Sequence, residues 1–292
     1  MSDHDRWDPP ESDEETPELT PGLAISLTVA ASFLSLVLAA SFSSATPGFV
    51  SPALLGLGML LGYGTAFVLA RRFVADPPGP ALGFVWAPRR AWLAAVLFLP
   101  SVLLISELEN VIASVVPRPA PPERDALPLP TGVGWVGQLI VAGVLVQPLV
   151  QEVFFRGFLQ PRVEPHWGSR GAVLGTALLG VLAAAPFQIP ALSTLALPLG
   201  YGLLQGVLRR AGGSIYPCLA LGMGLGAVGV LAQFELFGIP GFDAVEAGAH
   251  TPLQVLFPPA LCLGIGLALC RLPRDPDPTA RSESDPVDSP ER

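Results

Sequence analysis

An acid and a base interrupt an apolar run in the stretch Gln151-Glu152-Val153-Phe154-Phe155-Arg156-Gly157. Residues four apart lie on one face of a helix, so Glu152 and Arg156 are predicted to form a pair. In lipid a charge costs about 2.5–3.5 kcal/mol even on the mildest insertion scale, and ionisable groups inside a membrane span usually mark a pairing or functional site. We therefore look for function first at Glu152 and Arg156.

The composition around this stretch is that of a membrane protein. Of the 292 residues, 51% are hydrophobic and only 14% are charged, whereas a soluble domain carries roughly 25% charged residues. The net charge is −8, but 8 of the 24 acids lie in residues 1–20 and 6 lie in residues 273–292. The rest of the chain is therefore close to neutral and lacks a basic nucleic-acid footprint. We expect the lipid bilayer as a partner, and no nucleic acid.

Apolar runs long enough to cross a bilayer, which takes about 20 residues, recur along the chain. They predict an all-α polytopic membrane helix bundle with about eight transmembrane helices, in residues 21–44, 50–70, 91–116, 133–160, 171–189, 190–210, 214–236 and 252–272. The acidic segments 1–20 and 273–292 are predicted to be disordered tails on either side of this bundle, which occupies residues 21–272.

The distribution of arginine predicts the orientation of the bundle. Arginines cluster after the second, fourth, sixth and eighth predicted spans, and only Arg118 and Arg124 fall on the other side. Positive residues concentrate in cytoplasmic loops. We therefore expect both termini in the cytoplasm and the protein in the plasma (inner) membrane.

The run Gln147–Gln160 resembles the first motif of the CPBP family, intramembrane proteases that include prenyl-protein CAAX endoproteases and bacteriocin-processing or immunity proteins. The family motif is Glu-Glu-x-x-x-Arg, commonly continued as Phe-Arg-Gly. Phe155-Arg156-Gly157 matches this motif, Glu152 matches its second glutamate, and Gln151 stands in place of the first. A second stretch, Gly200–Pro217, is similar to the family's approach to its last catalytic helix.

The resemblance covers roughly residues 133–232, and Leu82-Gly83-Phe84 is also similar to a family element. It implies that Gln151, Glu152 and Arg156 occupy catalytic-type positions. In active members the first glutamate activates water, and a Phe-x-x-x-His histidine and a His-x-x-x-Asn pair complete the site. In this chain those positions fall near Gln188 and at Gly222 and Gly226, which we take as pocket positions.

These substitutions favour a pseudoprotease that binds a peptide or a lipidated or membrane-protein partner. Peptide hydrolysis needs a base and a group that stabilises the oxyanion, and the motif histidines are missing, so we expect no metal and no cofactor. The spacing Gly222-x-x-x-Gly226 instead gives a small-residue face on which helices approach closely. The alternatives are an active intramembrane endopeptidase that uses Glu152 as its base, and a transporter or assembly subunit.

Other polar residues are weaker candidates. Glu107 and Asn110 share a helix face near the outer interface at three-residue spacing, and Glu109 is predicted to point elsewhere. His166, followed by Trp167, is interpreted as an interfacial anchor, because no second metal ligand is near it in the sequence. The three cysteines, which form no metal or disulfide spacing, are interpreted as packing residues: Cys218, Cys262 and Cys270.

Overall fold

The computed structural model describes residues 17–44, 51–74, 77–116, 132–188, 195–243 and 249–271. The described α-helices are α1 (Pro21–Ser44), α2 (Pro52–Leu69), α3 (Pro78–Ala81), α4 (Arg89–Phe98), α5 (Ser101–Val115), α6 (Val133–Leu139), α7 (Gln147–Gln151), α8 (Gln160–Gln188), α9 (Ala196–Gly212), α10 (Tyr216–Gln233) and α11 (Leu253–Arg271). Two π-helical segments, Ile140–Val146 and Glu152–Leu159, flank α7, and a short 3-10 turn, Arg71–Phe73, follows α2.

Several helix ends follow from proline and glycine. Pro52 and Pro217 lie in the first turns of α2 and α10, where the missing N–H of proline costs no helical hydrogen bond. At the other end of α9, Gly213 adopts a left-handed conformation with φ 67° and donates its N–H to the carbonyl of Arg209 at 2.8 Å. Such a glycine cap ends the helix without steric cost.

The helices pack around two hydrophobic cores that lie on either side of the fourth predicted span. The first core joins α1, α2 and α8 around Phe154, Phe155 and Phe158, with the Tyr63 ring edge-on to Phe154 at 5.0 Å between centroids. The second joins α4, α5, α9, α10 and α11 around Phe98 and other buried apolar residues. The fourth span contributes aromatic side chains to the first core, so its polar side chains face the second group of helices.

Six described helical stretches are long and apolar enough to cross a membrane, by length and composition: Pro21–Phe42, Pro52–Leu69, Arg89–Val115, Val133–Ala184, Tyr216–Gln233 and Leu253–Arg271. The predicted all-α polytopic membrane fold is therefore confirmed. The expected count of about eight is not reproduced by this criterion, because the fourth and fifth predicted spans form one continuous stretch of 52 residues. That stretch is kinked at Gly168 (φ 66°, ψ 167°), and α9, with 17 residues, falls short.

The recurrent Gly-x-x-x-Gly spacing serves different purposes in different helices. A Cβ at Gly58 would lie 2.9 Å from the carbonyl oxygen of Ser35, so this face brings α2 against α1. In α8 the spacing instead accommodates a side chain, because a Cβ at Gly175 would overlap the Trp167 ring. Trp167 thus packs within α8, beside the exposed His166.

Two groups of predictions lie largely outside the described residues. These are the acidic tails, since description begins at residue 17 and ends at residue 271, and the loop with Arg118 and Arg124. The disorder of the tails stays a prediction. Within the described residues, the first helix begins at Pro21 and the last ends at Arg271.

Candidate functional site

The fourth span is an alternation of α- and π-helix rather than a regular α-helix. The order is α6, Ile140–Val146, α7 and Glu152–Leu159. A π-helix bonds each residue to the fifth one along, and π-segments are frequent at functional sites. The second π-segment begins at Glu152 and contains Arg156, so the pair lies within the irregular part of the span.

Glu152 and Arg156 are both buried, with 2% and 3% of their surfaces exposed. The Arg156 Nε and the Glu152 Oε2 are 4.0 Å apart, so the two side chains form an ion pair but not a hydrogen bond. Among the described residues, Glu152 Oε2, Arg156 Nε and Arg156 Nη1 have no hydrogen-bond partner. Buried polar atoms are normally satisfied, so these three atoms are exceptions within the described residues.

The rest of Arg156 is fixed by the facing helix α9. Its Nη2 donates to the carbonyl of Gly202 at 2.8 Å, and one turn later Gln160 Nε2 donates to the carbonyl of Gly206 at 3.0 Å. In return, Arg209 Nε donates to the carbonyl of Arg156 at 3.0 Å. These contacts need bare backbone on α9, because a Cβ at Gly202 would lie 3.3 Å from Arg156 Nη2.

A cavity of about 430 Å³ lies against the pair. Its lining residues come from the fourth span and from α5, α8, α9 and α10: Glu109, Gly143, Gln147, Pro148, Gln151, Glu152, Phe155, Arg156, Gly180, Ala184, Leu197, Pro198, Tyr201, Gly202, Gln205, Gly222, Leu225 and Gly226. On α9 the lining residues all lie in the first part of the helix, up to Gln205, and Arg209 lies beyond them. The cavity thus extends from the pair away from the arginine-bearing end of α9.

The structure brings Gly222 and Gly226 to this cavity along with Gln151. A Cβ at Gly222 would lie 3.1 Å from the Pro148 Cβ and 3.9 Å from the Glu152 Cγ, so Gly222 faces the glutamate. A Cβ at Gly226 would lie only 2.5 Å from the carbonyl oxygen of Gly143. Both positions are therefore close contacts: Gly222 lies against the Pro148 side chain, and Gly226 lies against the backbone of the fourth span.

Gln188 is the last residue of α8, and its side chain lies outside the described part of the chain. Its assignment as a pocket position stays a prediction. The described residues contain no group of three His, Cys, Asp or Glu side chains that could hold a metal ion.

The element Leu82-Gly83-Phe84 packs against the site at the end opposite the cavity. Gly83 has φ 81°, and a Cβ there would lie 2.5 Å from Arg209 Nη2. The carbonyl of Gly83 accepts the N–H of Ile215 at 3.0 Å. On its other side, a Cβ at Gly157 would lie 3.1 Å from the carbonyl oxygen of Leu82. Only glycine at 83 and 157 allows the element to approach both helices so closely.

Two residues line the cavity that the sequence did not assign to it. Gln205, which is buried, places its Nε2 3.2 Å from the Cβ that Gly222 lacks, and its carbonyl accepts the Cys218 thiol at 3.4 Å. Glu109, predicted to point away from the other polar groups, is 6% exposed and lines the cavity. The sequence signal for Gln205 is its position next to a glycine of the motif stretch on α9.

Glu107 and Asn110 form a separate cluster, as their shared face predicts. Asn110 Nδ2 lies 3.2 Å from Glu107 Oε2, which also accepts the N–H of Thr251 at 2.8 Å. His250 Nδ1 lies 2.6 Å from Glu107 Oε1. This cluster ties the segment before α11 to α5 and does not belong to the cavity lining.

The fold and the cavity define the class of protein: an all-α polytopic membrane protein with a polar chamber between its helices. Residues 134–228 match the family model described as type II CAAX prenyl endopeptidase Rce1-like. This match supports the resemblance to the CPBP/CAAX protease family over this part of the chain. Comparison with curated proteins gives no match, and comparison with solved structures gives none either.

Proposed function

We propose that this protein is a pseudoprotease of the CPBP type that binds a peptide segment of a partner protein in the cavity beside Glu152 and Arg156. The observation that carries the proposal is the cavity of about 430 Å³ that both side chains line. Glu152 Oε2 is an acceptor without a donor, and Arg156 Nη1 is a donor without an acceptor. A peptide group supplies one N–H and one C=O, so it is chemically complementary to this pair.

The residues around the pair favour binding over hydrolysis. Gln151 carries a neutral amide where the family motif has its first glutamate, and an amide does not act as a general base at neutral pH. Gly222 and Gly226 bring no side chain at the positions that the resemblance assigns to histidine and asparagine. The carboxamides of Gln151 and Gln205 offer both donors and acceptors, which suits recognition of a peptide backbone.

An active endopeptidase is the second candidate, and one observation favours it. Glu152 lines the cavity, and a carboxylate is a group that can take a proton from a water molecule. In that mechanism the oxyanion would need a donor from Arg156 or a glutamine, because no histidine lines the cavity among the described residues. We rank this candidate below the binding function for that reason.

The binding function is tested by filling the cavity without disturbing the helices. Gly180 lines the cavity, and no atom lies within 4 Å of the position of its absent Cβ, so Gly180→Leu adds volume without a clash at that position. Gly264→Leu is the matched control, because Gly264 in α11 is exposed, has equal space and does not line the cavity. The probes are fluorescent lipidated and transmembrane peptides added to the protein in detergent.

We expect the wild-type protein and Gly264→Leu to bind at least one of these peptides, and Gly180→Leu to bind it at least tenfold more weakly. Equal binding by all three proteins contradicts the proposal. Mass spectrometry of the same mixtures tests the second candidate. Peptide cleavage by the wild-type protein that is lost in Glu152→Gln would establish an endopeptidase and overturn the pseudoprotease assignment.

A further inference from the structure

A second cavity, of about 300 Å³, lies beside the cavity at the ion pair. Its lining residues lie within residues 52–59 of α2, 139–147 of the fourth span and 226–233 of α10. Gly143, Gln147 and Gly226 line both cavities. The two cavities therefore adjoin one another at the fourth span.

This second cavity is the space between α2 and α10, and the fourth span forms its floor. On one side, a Cβ at Gly56 would lie 3.0 Å from the Ala142 Cβ, so α2 packs closely on the fourth span. On the other side, the contact of Gly226 with Gly143 holds α10 against the same span. Residues 52–59 and 226–233 each correspond to about 10 Å of helix, or about two turns. We call this space the α2–α10 groove.

The α2–α10 groove opens on the surface that these helices present to the bilayer. α2, the fourth span and α10 all belong to stretches that are long and apolar enough to cross a membrane. Leu55 and Gly229, which line the groove, are exposed. Val141 and Leu145, which are neighbours of the lining residues in the fourth span, are exposed as well. The groove is therefore accessible from the lipid, unlike the buried ion pair.

The lining of the α2–α10 groove has the composition of a contact between membrane helices. No described atom lies within 4 Å of the Cβ positions of Gly143 and Gly229, so a further helix can approach closely there. Gln147 is exposed and lies midway along the predicted span 133–160. A carboxamide in hydrocarbon is stabilised by hydrogen bonds to polar side chains of a neighbouring helix. The acyl chain of a lipid cannot supply these hydrogen bonds.

We propose that the α2–α10 groove binds a transmembrane helix of the partner protein, which enters from the bilayer and places an uncharged polar side chain against Gln147. The proposal rests on the peptide-binding function proposed above and identifies the partner as a membrane-spanning protein. Because Gln147 lines both cavities, the docked helix lies directly beside the cavity at Glu152 and Arg156. An adjoining segment of the same partner then reaches that cavity.

The test uses the full-length protein in phosphatidylcholine vesicles and synthetic transmembrane helices. Each probe is a lysine-flanked helix of about 22 alternating leucines and alanines, with asparagine or leucine at its centre and an acceptor dye at one end. The chain contains no lysine, so an amine-reactive donor dye labels only its N-terminal amine. We expect energy transfer to the asparagine helix to reach half-saturation at about a fivefold lower peptide-to-lipid ratio than transfer to the leucine helix. This comparison requires no variant.

Two variants assign the binding to the α2–α10 groove. Gly229→Leu adds volume to the groove at a position with no described atom within 4 Å, and we expect it to bind both helices at least about fivefold more weakly. Gln147→Leu removes the carboxamide, and we expect it to bind the two helices within about twofold of each other. Gly264→Leu, at an exposed position of α11 outside both cavities, is expected to behave as the wild-type protein.

The outcomes separate this proposal from the binding function on which it rests. If Gly180→Leu weakens the binding of lipidated peptides but neither transmembrane helix shows transfer above random mixing, the binding function stands and the groove does not bind a helix. If no peptide of either kind binds, the binding function itself fails. Helix binding that is equal in Gly229→Leu and the wild-type protein overturns the groove as its site. Energy transfer between labelled copies of the protein that is lost in Gly229→Leu would assign the groove to a second copy of this chain and overturn the proposal.

Discussion

At the scale of single residues, the ion pair at the centre of the site has incomplete hydrogen bonding. Arg156 is fixed by one donor bond to Gly202, while Nε, Nη1 and the facing Glu152 Oε2 lack hydrogen bonds. Leaving a buried charge unpaired costs more than the pair contributes. The two residues therefore depend on each other more than either depends on its remaining neighbours.

Arg156→Ala tests this dependence. It leaves the Glu152 carboxylate buried without a counter-charge, which destabilises by about 3–5 kcal/mol in comparable pairs. We expect a clearly lower thermal unfolding midpoint in detergent, and partial recovery in the double variant Arg156→Ala, Glu152→Gln, which no longer buries a lone charge. Arg89→Ala, at an exposed position in α4, is expected to leave the midpoint unchanged. An unchanged midpoint in Arg156→Ala would show that the pair does not stabilise the fold.

Asp243, by contrast, is a carboxylate whose two oxygens both accept hydrogen bonds. Its oxygens accept the N–H groups of Phe237, Gly238 and Ile239 at 2.7, 3.0 and 2.7 Å. Burial opposes ionisation, but these backbone donors outweigh it and hold the pKa of Asp243 below its ordinary value of 3.8. Because the folded-state pKa is the lower one, the stabilisation of this loop is fully present above pH 3.8 and is lost as the pH falls toward the folded-state pKa.

Hydrogen exchange at the amides of Phe237, Gly238 and Ile239 measures this loss. After correction for intrinsic exchange, we expect their protection to be constant from pH 7 to 5 and to fall about tenfold or more below pH 4, as charge-assisted bonds weaken. Asp243→Asn is expected to show the lower protection already at pH 7, without a further fall near pH 4. Protection that stays constant down to pH 3 would contradict the assignment.

At the scale of helices, the sequence predicted positions better than orientations. Apolar runs placed a helix at each of the eight expected positions, and the four-residue spacing brought Glu152 and Arg156 together. The sequence did not predict the π-helical segment Glu152–Leu159, because a change from α- to π-helical hydrogen bonding leaves no pattern in an apolar run. Glu109 points away from Glu107 and Asn110, as predicted, but its place at the cavity was not predicted, because the contacts of α5 with α9 are set by packing.

The contact between α10 and the fourth span depends on Gly226. A Cβ there would lie 2.5 Å from the carbonyl oxygen of Gly143, which is backbone and cannot move independently of its helix. Gly226→Ala is expected to destabilise by about 1–3 kcal/mol through overpacking, seen as a lower thermal midpoint. Gly229→Ala, one turn later with no atom within 4 Å of the new Cβ, is expected to be neutral or stabilising, since alanine favours helix by up to about 1 kcal/mol. Equal midpoints for the two variants would argue against the contact.

At the scale of the whole molecule, the fourth span separates two hydrophobic cores and supplies the polar wall between them. The cavity lies on the side of the second core and extends toward the start of α9, away from Arg209 and Arg210. Composition and arginine placement predicted the membrane class and an orientation. They did not predict the direction of the cavity, because that depends on which ends of the helices diverge. If arginine marks the cytoplasmic side, the cavity extends toward the opposite side of the membrane.

Cysteine labelling tests the orientation on which this conclusion depends. In a background with Cys218, Cys262 and Cys270 replaced by alanine, Glu164→Cys and Leu236→Cys each place one thiol at an exposed residue, on opposite predicted sides. With both termini cytoplasmic, a membrane-impermeant maleimide is expected to label Leu236→Cys in right-side-out vesicles and Glu164→Cys only in inside-out vesicles or after permeabilisation. The reverse pattern would place the arginine-bearing ends outside, against the charge rule. The cavity would then extend toward the cytoplasm, and the peptide proposed to bind there would have to come from that side.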